Sequence, residues 1–238
     1  MQSALKVIFP PRCISCGGLV DQDFGLCGKC WRDTPFIAGT VCDTCGAPLP
    51  GEDEALVAHC DECIQTQRPW SNGRAALVYK DNARKIVLGL KHGDHTELAR
   101  PASEWMARVA TPVLVPNMLI APVPLHWTRL LKRRYNQAAL LGRGVAGHLG
   151  ISYCPDLLTR RIGTKSLEGE GRDARFALLQ GAITHTPKRR HRIAGRPVLL
   201  VDDVMTSGAT LAACAEACFV AGAAHVSVLT LARVAKDA

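Results

Sequence analysis

Beyond residue 73 the spacing of apolar positions changes repeatedly, and each change marks a new element. Residues 74–79 form a short apolar run and read as a strand. Residues 82–92 read as a helix, with Ile86, Leu88 and Leu90 set among Arg84, Lys85 and Lys91; residues 96–109 read as a second helix. A strand over 118–123 ends in Pro122-Val123-Pro124-Leu125; a basic loop, 129–134, then leads into a helix over 136–149. Another strand falls near 152–158, followed by a polar, glycine-containing stretch. Branched residues at 198–201 read as a strand buried on both faces, 211–220 as an alanine-rich helix and 226–232 as a last strand. Strands alternating with helices imply an α/β fold with a parallel sheet.

The first 66 residues break this pattern. They hold four Cys-x-x-Cys pairs, Cys13/Cys16, Cys27/Cys30, Cys42/Cys45 and Cys60/Cys63, which account for eight of the eleven cysteines. Ten residues separate the first two pairs and fourteen the last two, the spacing that two tetrahedral Zn2+ sites of four thiolates require. Gly17 and Gly46 follow the first and third pairs, where a tight turn lets backbone N–H groups approach the sulfurs. The start, MQSALKVIFPPRC, carries Lys6 and two prolines and lacks the apolar core of an export signal. A cytoplasmic location is therefore expected, where reducing conditions favour metal over disulfides.

Sequential quartets or an interleaved cross-brace both remain open, although the short first spacer suits a hairpin and favours the sequential arrangement. Four thiolates leave no open coordination position, so both zinc ions are expected to be structural and to supply folding energy that this segment lacks. Their removal is expected to unfold the segment and spare the rest. The organisation read from the chain is a double zinc ribbon over 1–66, a linker over 67–73 and an α/β domain over 74–238.

Charge divides the chain in the same place. Of the net +8, residues 1–72 carry five Lys/Arg against nine Asp/Glu, and the remainder carries 24 against 12. A domain this basic is expected to handle pyrophosphate or nucleic acid. The apolar stretches 109–125 and 211–234 are broken by prolines or by Glu216, His225 and Arg233, so no membrane insertion is expected.

The most specific chemistry lies in residues 198–210, VLLVDDVMTSGAT. Asp202 and Asp203 end the strand, at the edge where open α/β sheets place ligands. The loop Thr206-Ser207-Gly208-Ala209-Thr210 then feeds a helix N-terminus, whose N–H groups and dipole favour a phosphate. Carboxylates that accept from vicinal hydroxyls, beside a phosphate cradle, suit a sugar phosphate. A nucleotide-hydrolase loop is excluded, because Gly163-Thr164-Lys165-Ser166 has the wrong spacing and no strand before it.

The run resembles the phosphoribosyl pyrophosphate (PRPP) signature of type I phosphoribosyltransferases. The resemblance implies PRPP with Mg2+ as ligand, Asp202 and Asp203 as catalytic residues and Thr206 to Thr210 as the 5′-phosphate loop. Displacing pyrophosphate also needs cations and amides at the leaving group. The candidates are Pro124 at a strand end, Lys132, Arg133 and Arg134 after it, and a lid over 159–175 that carries Lys165, Arg172 and Arg175.

With these residues in place the whole chain resembles the ComF (GntX-like) family, a double zinc ribbon followed by a phosphoribosyltransferase domain. The resemblance rests on the cysteine quartets, Leu90-Lys91-His92-Gly93-Asp94, Pro122-Val123-Pro124-Leu125, Arg134-Tyr135-Asn136-Gln137 and the PRPP loop. Where that family usually reads Arg-Gly-Phe-Asn-Gln, this chain has Arg133-Arg134-Tyr135-Asn136-Gln137 and lacks the glycine. The resemblance implies transfer or release of the phosphoribosyl group, linked to DNA uptake in competence or to nucleotide salvage.

The alternative is a non-catalytic module of the same fold. It would handle single-stranded DNA on the basic face, with Trp70, Trp105, Trp127 and Tyr135 as stacking surfaces, and dock protein partners through the ribbons. His95-Thr96-Glu97 imitates a zinc-deaminase motif, but every Cys-x-x-Cys pair precedes it. Cys154, Cys214 and Cys218 read as buried thiols.

Overall fold

The expected alternation of strands and helices folds into one parallel sheet in the computed structural model, which describes residues 9–53, 57–92, 95–163, 172–179 and 181–235. Among its described residues the cysteine-rich region contributes two short helices, α1 (Gly28–Arg32) and α2 (Asp61–Gln65). Next come β1 (Asn72–Val78), α3 (Asp81–His92), α4 (Ala99–Val109), β2 (Leu119–Pro122), α5 (Trp127–Arg133), α6 (Gln137–Leu149) and β3 (Ser152–Tyr153). The chain then runs through β4 (Leu158–Arg160), α7 (Arg172–Leu179), β5 (Ile183–His185), α8 (Arg190–Ile193), β6 (Pro197–Met205), α9 (Ala209–Val220) and β7 (His225–Arg233). Five strands make the central sheet in the order β1-β7-β6-β2-β3, and every pairing in it is parallel.

Successive residues of a strand face opposite sides, so the unbroken apolar runs of β2, β6 and β7 feed two cores. Leu119, Ala121, Val198, Leu200 and Val228 pack with Leu211, Ala215 and Cys218 of α9 on one face. Ile120, Leu199, Val201 and Leu229 pack with Ile86, Leu90, Met106 and Leu141 of α3, α4 and α6 on the other. Cys154, Cys214 and Cys218 are fully buried, as read from sequence. No helix among the described residues is long and apolar enough to cross a membrane.

Two elements differ from the sequence reading. The strand near 152–158 is two: β3 ends at Tyr153, and β4 pairs antiparallel with β5 in a separate ribbon. Pro155 lies between them and offers no N–H to a ladder. The basic loop 129–134 is mostly the helix α5. Arginine, lysine and leucine are strong helix formers, and the His126 side chain caps the first turn by accepting from the Thr128 N–H.

Helix α5 ends where Arg134 adopts φ 66°, in the left-handed region. This is the position where the resembling family carries glycine, so the arginine bears a strain that glycine avoids. Arg134→Gly is expected to stabilise the protein by about 0.5–1 kcal/mol, raising Tm by roughly 2 °C. Thermal unfolding checks this, and a lower Tm would mean that the arginine side chain outweighs its backbone cost.

The cysteine-rich region wraps the open edge of β1. Phe36 bridges Leu77 antiparallel, the Ile37 N–H donates to Ala76 O (3.0 Å) and the Val78 N–H to Pro35 O (2.9 Å). The strand edge is thereby paired rather than exposed. The cysteines before Pro35 dock on α3, where buried Asn82 donates to Cys30 O (3.2 Å) and to Thr34 Oγ1 (2.7 Å). Those after Ile37 join the opposite core, with Cys42 and Cys45 buried beside Trp70. Residues 67–73, read as a linker, pack tightly: Arg68 and Trp70 are buried and Gly73 lies in β1. A Cβ on Gly46 (φ 69°) would come within 2.6 Å of Ala75 N, so only glycine admits this approach to β1.

Candidate functional site

The eight cysteines form two sequential quartets, Cys13, Cys16, Cys27, Cys30 and Cys42, Cys45, Cys60, Cys63, with the sulfurs of each within 4.8 Å of one another. A tetrahedron with Zn–S arms of about 2.3 Å has edges of about 3.8 Å. The Cys16–Cys27 and Cys45–Cys60 sulfurs are each 3.7 Å apart, so both quartets fit a zinc ion without rearrangement. Backbone amides serve as thiolate donors, although the N–H groups of Gly17 and Gly46 themselves donate to Cys13 O (2.9 Å) and Cys42 O (2.8 Å). Burial raises the Cys13 pKa, but N–H groups of Cys27, Cys16 and Ser15 outweigh it and bring the thiol down to about 6.

The sheet's carboxyl edge opens into a polar cleft of about 740 Å³. Its floor is the end of β6, with Asp202 and Asp203; the loop into α9 contributes Thr206 and Thr210 to the wall. Gly208 has φ 80° and immediately precedes α9, so this turn needs a residue free to enter the left-handed region. The opposite wall begins at the end of β2 and continues through Val123, Pro124, Arg129, Lys132, Arg133 and Arg134. The predicted acids, part of the loop and the first basic cluster are thus brought together. Lys165 lies outside the described residues; Arg172 and Arg175 belong to α7, but their side chains lie outside the description.

Charge in the cleft is strongly arranged. Burial pushes the Asp202 carboxyl up to about 8, with the neighbouring charge of Asp203 adding to the rise. Its Oδ1 accepts from the Asp203 N–H (2.8 Å). Asp203 Oδ2 is 3.3 Å from Lys91 Nζ, at the end of α3. Buried Arg160, on β4, has its pKa lowered first by burial and then by the charge of nearby Arg129. Two guanidiniums crowded against a cleft are poised for a multivalent anion.

Residues 134–137 hold this wall in place. Asn136 caps α6 by accepting from the Ala138 N–H (3.0 Å), while its Nδ2 donates to Val123 O (2.9 Å). Tyr135 donates to Leu90 O (2.8 Å), so the turn after α5 also fixes the end of α3 that carries Lys91.

Residues 4–64 match the family model described as Double zinc ribbon domain. The chain is 28% identical over 218 residues to the DNA utilization protein YhgH of Escherichia coli strain K12, covering 88% of this chain and 91% of the relative. It is 26% identical over 229 residues to Competence protein F of Haemophilus influenzae, covering 93% and 96%. It is also 26% identical over 223 residues to Competence protein ComFC of Bacillus subtilis, covering 90% and 87%. The chain is thus similar over most of its length to proteins named for DNA utilization and competence, and it opens with a double zinc ribbon.

Two solved structures, an allosteric regulatory enzyme of purine biosynthesis and the glutamine PRPP amidotransferase of B. subtilis, align with this chain over 60% of its length. Their TM-scores are 0.41 and 0.40 at 16% and 15% identity, and the chain spans 30% of either.

Sequence reasoning missed several residues of the site. Lys91 was visible only as part of a resembling string, although a lysine closing an amphipathic helix at a sheet's carboxyl edge is a usable signal. Arg160 was read as part of a mobile lid, yet it sits in β4, buried beneath the cleft. Of the proposed stacking surfaces, Trp70 and Trp105 are buried, whereas Trp127 is 63% exposed on α5.

Proposed function

We propose that this protein binds PRPP or a closely related ribose phosphate, and transfers or releases its phosphoribosyl group. The supporting observation is the shared cleft: an acid pair and a glycine-turned helix N-terminus face a wall of Arg129, Lys132, Arg133 and Arg134. The 5′-phosphate fits the N–H groups of the loop 206–210. Asp202 and Asp203 accept from the ribose hydroxyls, with Lys91 holding Asp203 in place. The pyrophosphate fits between the basic wall, the backbone at Pro124 and Arg160. Mg2+, when bound with the ligand, would neutralise part of the pyrophosphate charge. As the anomeric C–O bond breaks, positive charge develops on the sugar and negative charge on the leaving group. The acid pair stabilises the first and the arginines the second.

Titration with PRPP and Mg2+ by calorimetry tests binding, and pyrophosphate release in the presence of a panel of bases and amines tests turnover. Saturable binding that requires Asp202 and Asp203 is expected; no binding at millimolar PRPP would rule the reading out.

One observation favours a second reading. Trp127 stands exposed on the same helix as Arg129, Lys132 and Arg133, and relatives carry names in DNA utilization and competence. On the ribose-phosphate reading, single-stranded DNA affinity stays in the weak range of about 10⁻⁴–10⁻⁶ M at physiological salt. Tight DNA binding that collapses on Trp127→Ala, with no PRPP binding, would instead favour the DNA-handling module.

A further inference from the structure

The second cysteine quartet reaches the phosphate loop through three side chains. Glu62 lies between the ligand cysteines Cys60 and Cys63, on α2. Its Oε2 is 2.7 Å from Arg233 Nη2 and its Oε1 3.4 Å from Arg68 Nη2. Arg233, at the end of β7, also lies against the Cys45 sulfur. Both guanidiniums are dry, with side chains 0% and 3% exposed for Arg68 and Arg233. Both spend a donor on the loop: Arg233 Nη1 donates to Thr206 O (2.7 Å) and Arg68 Nη1 to Ser207 O (2.6 Å). The Trp70 ring centroid lies 5.6 Å from the Arg68 guanidinium carbon, and a Cβ on Gly208 would meet the side chains of Arg68 and Trp70 at 3.1 Å.

Peptide planarity turns these contacts into a statement about the ligand side of the loop. In a trans peptide the C=O of one residue and the N–H of the next point in opposite directions, and the described chain contains no cis bond. Holding the carbonyls of Thr206 and Ser207 against the rear guanidiniums therefore turns the N–H groups of Ser207 and Gly208 forward. Thr206 and Thr210, which bracket these two amides in the chain, line the cleft. Two amides fixed toward an anion cost no reorganisation when it arrives, whereas a free small-residue loop would have to order itself first.

We infer that Arg68 and Arg233, tied together by Glu62 from within the second cysteine quartet, are positioning residues that aim the loop's amides at a phosphate monoester. The inference rests on the ribose-phosphate reading above and makes the second quartet part of the anion site's support. The first quartet, docked on α3, takes no part in it.

The experiment compares two probes by calorimetry, ribose 5-phosphate for the loop and magnesium pyrophosphate for the basic wall. It uses the full chain and its Arg68→Met, Arg68→Lys and Glu62→Gln variants. Arg68→Met is expected to weaken ribose 5-phosphate about tenfold, the size of one charge-assisted hydrogen bond. Glu62→Gln should shift it in the same direction by a smaller factor, and Arg68→Lys should recover part of the loss. Pyrophosphate affinity should change less than about twofold, and zinc content should stay at two per chain. If Arg68→Met loses its zinc, the affinity of Glu62→Gln for the two probes decides instead.

Unchanged ribose 5-phosphate affinity in the variants overturns the inference. Equal loss of both probes also overturns it, since that reports general damage rather than loop positioning. If the unaltered protein binds neither probe, the ribose-phosphate reading itself fails, and the inference goes with it.

Discussion

Replacing Asp202 and Asp203 together by asparagine is expected to cut ribose-phosphate affinity by about a hundredfold or more, at about 1.5–3 kcal/mol for each charge-assisted acceptor removed. The Asp202→Asn change by itself should leave the free protein no less stable. The Asp202 carboxyl, raised by burial and by Asp203 to about 8, stands above its ordinary value of 3.8. A group raised in the folded state confers stability that is fully present below the unfolded pKa and lost as pH rises through the folded one. Above pH 8 the native protein therefore holds a carboxylate that its surroundings disfavour, and Asp202→Asn relieves it. Allowing for coupling to Asp203 and partial solvation, the gain at pH 8.5 is on the order of 2 kcal/mol, or a Tm higher by roughly 4–8 °C.

Ligand binding should run the other way with pH. Ribose hydroxyls donating to Asp202 favour its ionised form, so binding releases a proton and affinity climbs between pH 6.5 and 8.5. Calorimetry in buffers of different ionisation heat measures the proton, and scanning calorimetry measures the stability. A folded double variant that binds ribose phosphate within threefold of the parent would remove the acid pair from the site.

Zinc removal is the second large effect, and its expected reach differs from the sequence reading. A separate ribbon could unfold and spare the sheet. Here Cys42 and Cys45 share a core with Leu119, Leu200 and Val228, and the segment between the two quartets occupies the edge of β1. Zinc binding in ribbon-like peptides contributes about 10–16 kcal/mol, more than a typical domain's whole stability of about 5–15 kcal/mol. Chelation is therefore expected to expose β1 and the loop before α9 along with the ribbons, and to abolish phosphate binding. Hydrogen exchange on the zinc-loaded and chelated protein reads this directly, with elemental analysis giving two zinc ions per chain beforehand. Full protection of α9 after chelation would show the sheet to be independent.

A milder comparison separates the two quartets. Cys45→Ser removes a buried ligand next to Arg233, whereas Cys16→Ser removes an exposed one that is not part of the cleft lining. The first should lower Tm and phosphate affinity together, and the second mainly Tm.

The sequence by itself determined the parts whose requirements are local in the chain. A Cys-x-x-Cys turn, a glycine at the entry to α9 and an acid pair at a strand's end each satisfy a geometric demand within a few residues. The quartets, the 206–210 loop and the parallel alternation were legible for that reason. The differences around 129–134 and 152–158 have a local cause as well: charge hid a helix of good formers, and Pro155 ended a ladder that apolar residues alone would have continued.

Only the tertiary structure decided what surrounds the acids. Lys91 meets Asp203 from another element, and Arg160 comes from beyond Pro155. Glu62 meets Arg233 across 171 residues. Such pairings arise because strand order in the sheet, rather than spacing in the chain, sets which ends share an edge. The same physics placed the ribbons: an open strand edge and two apolar faces had to be covered, and the cysteine-rich segment was the chain available to cover them.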